Sequence, residues 1–199
     1  MRRMLAFLFV MTVGTVLAGC MTTSQFMKAK SQSARTDVFS EIDGTEAIPK
    51  GYAVLEIKAT IKTHAEGFYL LEAKDSLHGK KGYPFVLNID GQAVVWKVDG
   101  EEEIAPVYHE NGGRNPEGGA GIRYDIRKKI RLASGKHKVF LGLPGEGYYW
   151  KFDVVLEEGK AYSMSFEPVY RKDNVRHLRE RRFINGIEAY KKTLRDGSS

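Results

Sequence analysis

Ala53-Val54-Leu55-Glu56-Ile57-Lys58-Ala59-Thr60-Ile61-Lys62 alternates small or apolar residues with largely polar ones along its whole length. Side chains alternate across a β-strand, so Ala53, Leu55, Ile57, Ala59 and Ile61 share one face, and Val54, Glu56, Lys58, Thr60 and Lys62 the other. The same period of two returns further along the chain. Ile122, Tyr124, Ile126, Ile130 and Leu132 oppose Arg123, Asp125, Arg127, Lys129 and Arg131, and only Lys128 breaks the apolar face. Val139, Leu141 and Leu143 continue it, then Tyr148, Trp150, Phe152, Val154 and Leu156, then Tyr162, Met164 and Phe166. These are half-buried strands. Asp90-Gly91, Ser134-Gly135-Lys136, Pro144-Gly145-Glu146-Gly147 and Glu158-Gly159-Lys160 fit turns between antiparallel neighbours. The prediction is a mainly β fold, an antiparallel β-sandwich over residues 51–170.

A chain of 199 residues has room for one such core, a leading segment and a tail. Hydrophobic residues make up 42% and there are ten Tyr and ten Phe, a supply of large apolar side chains that disordered chains lack. The single cysteine, Cys20, excludes an intramolecular disulfide, so any exported location must be argued from other residues.

Those residues lie at the N-terminus. Arg2 and Arg3 precede the run Leu5-Ala6-Phe7-Leu8-Phe9-Val10, which continues through small and apolar residues to Leu17-Ala18-Gly19-Cys20. Charge, apolar run and small residues in that order form a signal-peptide layout. Leu17-Ala18-Gly19-Cys20 resembles the lipobox of bacterial lipoproteins. The resemblance implies a diacylglyceryl group on the Cys20 sulfur, cleavage after Gly19, and a domain held to the membrane by lipid in the bacterial cell envelope. The alternative is an uncleaved helix, because no charge falls between Met4 and Met27. Thr22, Thr23, Ser24 and Gln25 argue against it by ending the apolar stretch at once. Met21 stands where an Asp would, by resemblance to enterobacterial sorting, imply inner-membrane retention, so the reading leans to the outer membrane. Without Arg2 and Arg3 the formal charge of +6 falls to +4, too little to imply a nucleic-acid partner.

Residues 20–50 read as a lipidated tether rich in Ser, Thr, Lys and Ala, with Val38, Phe39 and Ile42 able to add to the domain. Asp37, Glu41, Asp43 and Glu46 around Gly44 lack the spacing of an EF-hand loop. Within the domain, Phe85-Val86-Leu87-Asn88-Ile89-Asp90-Gly91, Leu132-Ala133-Ser134-Gly135-Lys136-His137-Lys138-Val139 and Leu156-Glu157-Glu158-Gly159-Lys160-Ala161-Tyr162 resemble PEGA-type and related small β-sandwich modules of bacterial surface lipoproteins. That resemblance, over residues 83–168, implies a binding or structural role without catalysis. The insert from Asp99 to Gly121 departs from it.

Candidate contacts follow from these features. The Gly-rich run 110–121, with Arg114, is either a recognition loop or a plain surface insertion, and it lacks the Gly-Lys-Ser/Thr of a phosphate loop. In Tyr148-Tyr149-Trp150, alternation sends Tyr148 and Trp150 inward and leaves Tyr149 as the aromatic face able to meet a cell-wall glycan. From Asp173 to Leu194, Val175, Leu178, Ile184, Ile187, Tyr190 and Leu194 fall near helical spacing and predict an amphipathic C-terminal helix within a 171–199 tail. Its basic face, including Arg179 and Arg182, would meet solvent, anionic lipid or an acidic envelope partner.

Catalytic motifs are sparse. No Gly-x-Ser-x-Gly elbow occurs, and His64, His78, His109, His137 and His177 show no paired metal-ligand spacing, so neither metal nor cofactor is expected. The expected function is that of a lipid-anchored envelope protein with a binding or structural role. The alternatives are an accessory subunit of a secretion or envelope-assembly complex and, less favoured, a nonclassical hydrolase.

Overall fold

A computed structural model describes residues 22–44, 46–113, 115–170 and 187–197. Among the described residues ten strands form two sheets. The first takes β1 (Phe39–Ile42), β2 (Tyr52–Thr63), β5 (Glu101–Ala105), β6 (Gly119–Ala133), β9 (Ala161–Tyr170) and β10 (Ile187–Asp196), in the order β1-β6-β2-β9-β10 with β5 also on β6. The second has β3 (Tyr83–Ile89), β4 (Gln92–Val98), β7 (Gly135–Leu143) and β8 (Tyr148–Leu156), in the order β4-β3-β7-β8.

Alternation decides what lies between them. Ala53, Leu55, Ile57, Ala59 and Ile61 are all buried and join one core with Phe85, Leu87, Ile130, Leu132, Leu141, Met164 and Phe166. Tyr148, Trp150 and Phe152 pack against that core, as their period requires.

The strand order departs from the simple reading in two ways. β2 pairs with β9 in parallel, Val54 beside Ala161 through Ala59 beside Phe166, so the sandwich is not wholly antiparallel. The links at Ser134 and at 157–160 join strands of different sheets, whereas Asp90-Gly91 and Pro144–Gly147 join hairpin partners. Alternation reports which face is buried but not which sheet holds the strand.

At Asp90-Gly91 both residues have positive φ, 48° and 96°, the backbone of a tight two-residue hairpin. The Asp90 carboxylate accepts from His137 Nδ1 at 2.7 Å and from the Lys138 amide at 2.8 Å. Asp90→Ala should therefore lower the unfolding free energy by about 1–3 kcal/mol, read from the urea midpoint.

The C-terminal helix is corrected for the residues described. Ile187–Asp196 is β10, antiparallel to β9, and residues 171–186 lie outside the described set. A register shift between Ile187 and Ala189 explains the misleading spacing. One extra residue in a strand turns the next side chains over, so Ile187 and Tyr190 both become buried although three positions apart.

The segment read as a tether carries structure of its own. Helix α1 (Thr23–Lys30) starts at a capping box, in which Thr22 Oγ1 accepts from the Gln25 amide and Gln25 Oε1 accepts from the Thr22 amide. Met27 of α1 is buried against Val86 and Phe140 on the outer face of the second sheet. Phe39 of β1 is in the main core, and Gln92 Oε1 accepts from the Val38 and Phe39 amides.

Candidate functional site

Between β2 of one sheet and β3 of the other runs a strandless loop, residues 64–82, that closes one end of the sandwich. Its ends are fixed by backbone chemistry. Gly79 donates its amide to Thr63 Oγ1 at 3.0 Å, and Tyr124 Oη donates to the Lys80 carbonyl at 2.8 Å. Leu77 packs against the core, while Leu70 and Leu71 are fully exposed.

Five titratable side chains converge at this loop. His64 Nε2 lies 2.8 Å from His78 Nδ1 and 3.2 Å from Glu72 Oε1. His78 Nε2 lies 2.8 Å from Glu146 Oε1, on the turn between β7 and β8. Tyr83, the first residue of β3, donates its hydroxyl to the same Glu146 oxygen at 2.8 Å, and Ser76 Oγ donates to Glu72 Oε1. His64 is 5% exposed and its ring is held inside the fold, whereas the His78 side chain keeps 24% of its surface open.

Burial sets the electrostatics. The Tyr83 hydroxyl is pushed well above the ordinary phenol range, first by desolvation and then by the charge and hydrogen bond of Glu146. It stays protonated and can only donate to that carboxylate. For His78, desolvation works against the charged ring, yet the hydrogen bond and charge of Glu146, with Glu72 behind it, hold its pKa above the usual imidazole value.

His64, Glu72 and His78 each offer one ligand atom, and these atoms lie within 4.8 Å of one another. The fold thus brings together two histidines that show no metal-ligand spacing in the sequence. The positions His64, Glu72 and His78 are separated by seven and five residues, longer gaps than the short motifs sought. What could have marked them is their shared loop, bounded by Gly67, Gly79 and Gly82, all with positive φ.

The residues singled out from the sequence do not meet at this site. Cys20, Arg114, Arg179 and Arg182 lie outside the described residues. Tyr149 lies on the outer face of the second sheet, as alternation predicts, but α1 covers it. Its ring stacks on Phe140 at 5.6 Å and meets Phe26 at 5.0 Å, with Lys151 Nζ 4.6 Å from the Phe26 centroid. A sugar could reach that face only by displacing Phe26. Phe26→Ala should cost about 1–2 kcal/mol in a urea titration, because Phe26 is only partly buried. It should also expose Tyr149 to a collisional quencher.

The insert over 99–121 is largely ordered. β5 pairs with β6 from Glu101 beside Arg123 to Ala105 beside Gly119. The loop beyond is tied by His109 donating its amide to Gly113 O at 2.7 Å and Asn115 to Val107 O at 2.8 Å. Lys62 Nζ donates to the carbonyls of Glu117 and Gly119, both at 2.9 Å.

No family model, curated protein or solved structure matches this chain.

Proposed function

We propose that the chain is a lipid-anchored protein of the bacterial cell envelope whose β-sandwich binds or scaffolds rather than catalyses. The observation that carries this reading is the ordered sequence of Arg2-Arg3, an apolar run and Leu17-Ala18-Gly19-Cys20. Each acyl methylene that enters a bilayer contributes about 0.8 kcal/mol, so two or more chains on Cys20 give lasting attachment without a spanning segment. Among the described residues no helix is long and apolar enough to cross a membrane.

The position of α1 supports a particular form of this anchor. Thr23 begins the helix three residues after Cys20, and Met27 docks on the second sheet. Three residues span at most about 10 Å. The sandwich is therefore held against the bilayer surface instead of at the end of a thirty-residue leash. A binding or structural role is supported by the sparse catalytic motifs of the sequence, which has no Gly-x-Ser-x-Gly elbow.

Metabolic labelling with a radioactive fatty acid, beside a Cys20→Ala control, tests the anchor. The native chain should take up label and show the mass expected after loss of residues 1–19. An unlabelled, uncut chain would overturn the reading.

A further inference from the structure

We propose that His64 Nε2, His78 Nδ1 and Glu72 Oε1 form a binding site for a divalent transition metal of the zinc class. The site stands independently of the lipid anchor. Its basis is the way the surrounding acceptors fix the two rings. The Ala65 carbonyl, 2.9 Å from His64 Nδ1, can only accept, so that nitrogen carries the proton and Nε2 presents a lone pair. Glu146 Oε1 draws the Nε2 proton of His78, which turns His78 Nδ1 toward His64 and Glu72.

Each ring thus has one nitrogen tied to an oxygen acceptor and the other facing its neighbour, with Glu72 Oε1 within 4.8 Å of both. Metal-binding histidines are held in this way, with the second N–H on a carbonyl or carboxylate that fixes the tautomer. Here those acceptors are Ala65 O and Glu146, and Ser76 Oγ steadies the carboxylate ligand. In the metal-free chain a proton on His78 Nδ1 bridges the rings. A bound ion takes that place, releases the proton to solvent and draws in Glu72.

Two of the three separations lie near those of a tetrahedral ion, and all three ligand atoms fall within 4.8 Å of one another. Ligands about 2.0 Å from a tetrahedral centre sit about 3.3 Å from one another. The His64–Glu72 separation of 3.2 Å already meets this, and the His64–His78 separation of 2.8 Å needs to open by about 0.5 Å. Two imidazoles with one carboxylate suit zinc, whereas calcium and magnesium take oxygen ligands. Three protein ligands leave a fourth position for water.

The test uses the full chain as Cys20→Ala, purified in detergent without a polyhistidine tag and stripped with a chelator, so that neither thiol nor lipid contributes. Titration with zinc chloride should show one ion bound at micromolar affinity or tighter. Cobalt should give the visible bands of a tetrahedral site, and calcium and magnesium should not bind. His64→Gln, His78→Gln and Glu72→Gln should each weaken zinc by about 10- to 100-fold, while His109→Gln leaves it unchanged. Circular dichroism checks that each variant keeps its β-structure. Zinc affinity weaker than millimolar in the parent chain would overturn the site. So would tight zinc binding that survives in the folded His64→Gln/His78→Gln double variant, and the two rings would then only hydrogen-bond the loop in place.

Discussion

Lys62→Ala should lower the unfolding free energy by about 3–5 kcal/mol, a loss of the size measured when one member of a buried ionic network is removed. Lys62 lies on the outer face of β2, where alternation puts a solvated cation, yet its side chain is 1% exposed. The insert between β5 and β6 covers it. All three ammonium hydrogens are used, toward Glu117 O and Gly119 O at 2.9 Å each and Glu103 Oε2 at 3.0 Å. Removing the ammonium leaves two buried carbonyls and the Glu103 carboxylate without their donor. Lys62→Met keeps the stem and loses the charge, so it should be almost as damaging. Glu103→Gln should cost less than half as much, because Glu103 is 32% exposed and water can reach it. A Lys62→Met chain with an unchanged urea midpoint would show that the insert is not clamped.

Gly79→Ala should open the 64–82 loop while leaving the sandwich folded. Gly79 has φ +72°, where an L side chain costs about 1–2 kcal/mol. A Cβ there would also stand 2.1 Å from the Glu66 amide nitrogen and 2.6 Å from the Ala65 carbonyl carbon. Those are backbone atoms, so the overlap cannot be relieved by turning a side chain. The combined local cost should exceed about 3 kcal/mol. Hydrogen exchange should show lost protection from residue 64 to residue 82, with the β2, β6 and β9 amides unchanged. Zinc binding should weaken at least tenfold, because His78 adjoins the displaced residue. Native-like protection in the loop of the alanine variant would contradict this account of how the site is assembled.

The strands were legible because their information is local. Leu55, Ile57 and Ile61 alternate with Glu56, Lys58 and Lys62 whatever their neighbours are, and the buried face follows from the count of two. Pairing was less legible. Glu158-Gly159-Lys160 reads as a hairpin turn, but it carries the chain across to β9, parallel to β2. The bulge at Ile187–Ala189 imitated helical spacing.

Two further local signals lie in the sequence. Thr22-x-x-Gln25 is the signature of a capping box, and it starts α1 inside the supposed tether. Gly79 and Gly82, flanking the return of the loop, marked a tight closure near His78. The His64–Glu72–His78 cluster itself could not be read from short spacing. Glu146, which orients His78, comes from a turn sixty-eight residues away and meets it only once both sheets are packed.

The height of the sandwich above a bilayer tests the central claim most directly, because it requires both lipid on Cys20 and α1 docked three residues later. Neutron reflectometry on the mature chain bound to a supported membrane gives that height. The account predicts a water gap no greater than about 10 Å between the headgroups and the protein layer. A gap of several tens of ångströms, or a chain that washes off, would contradict it.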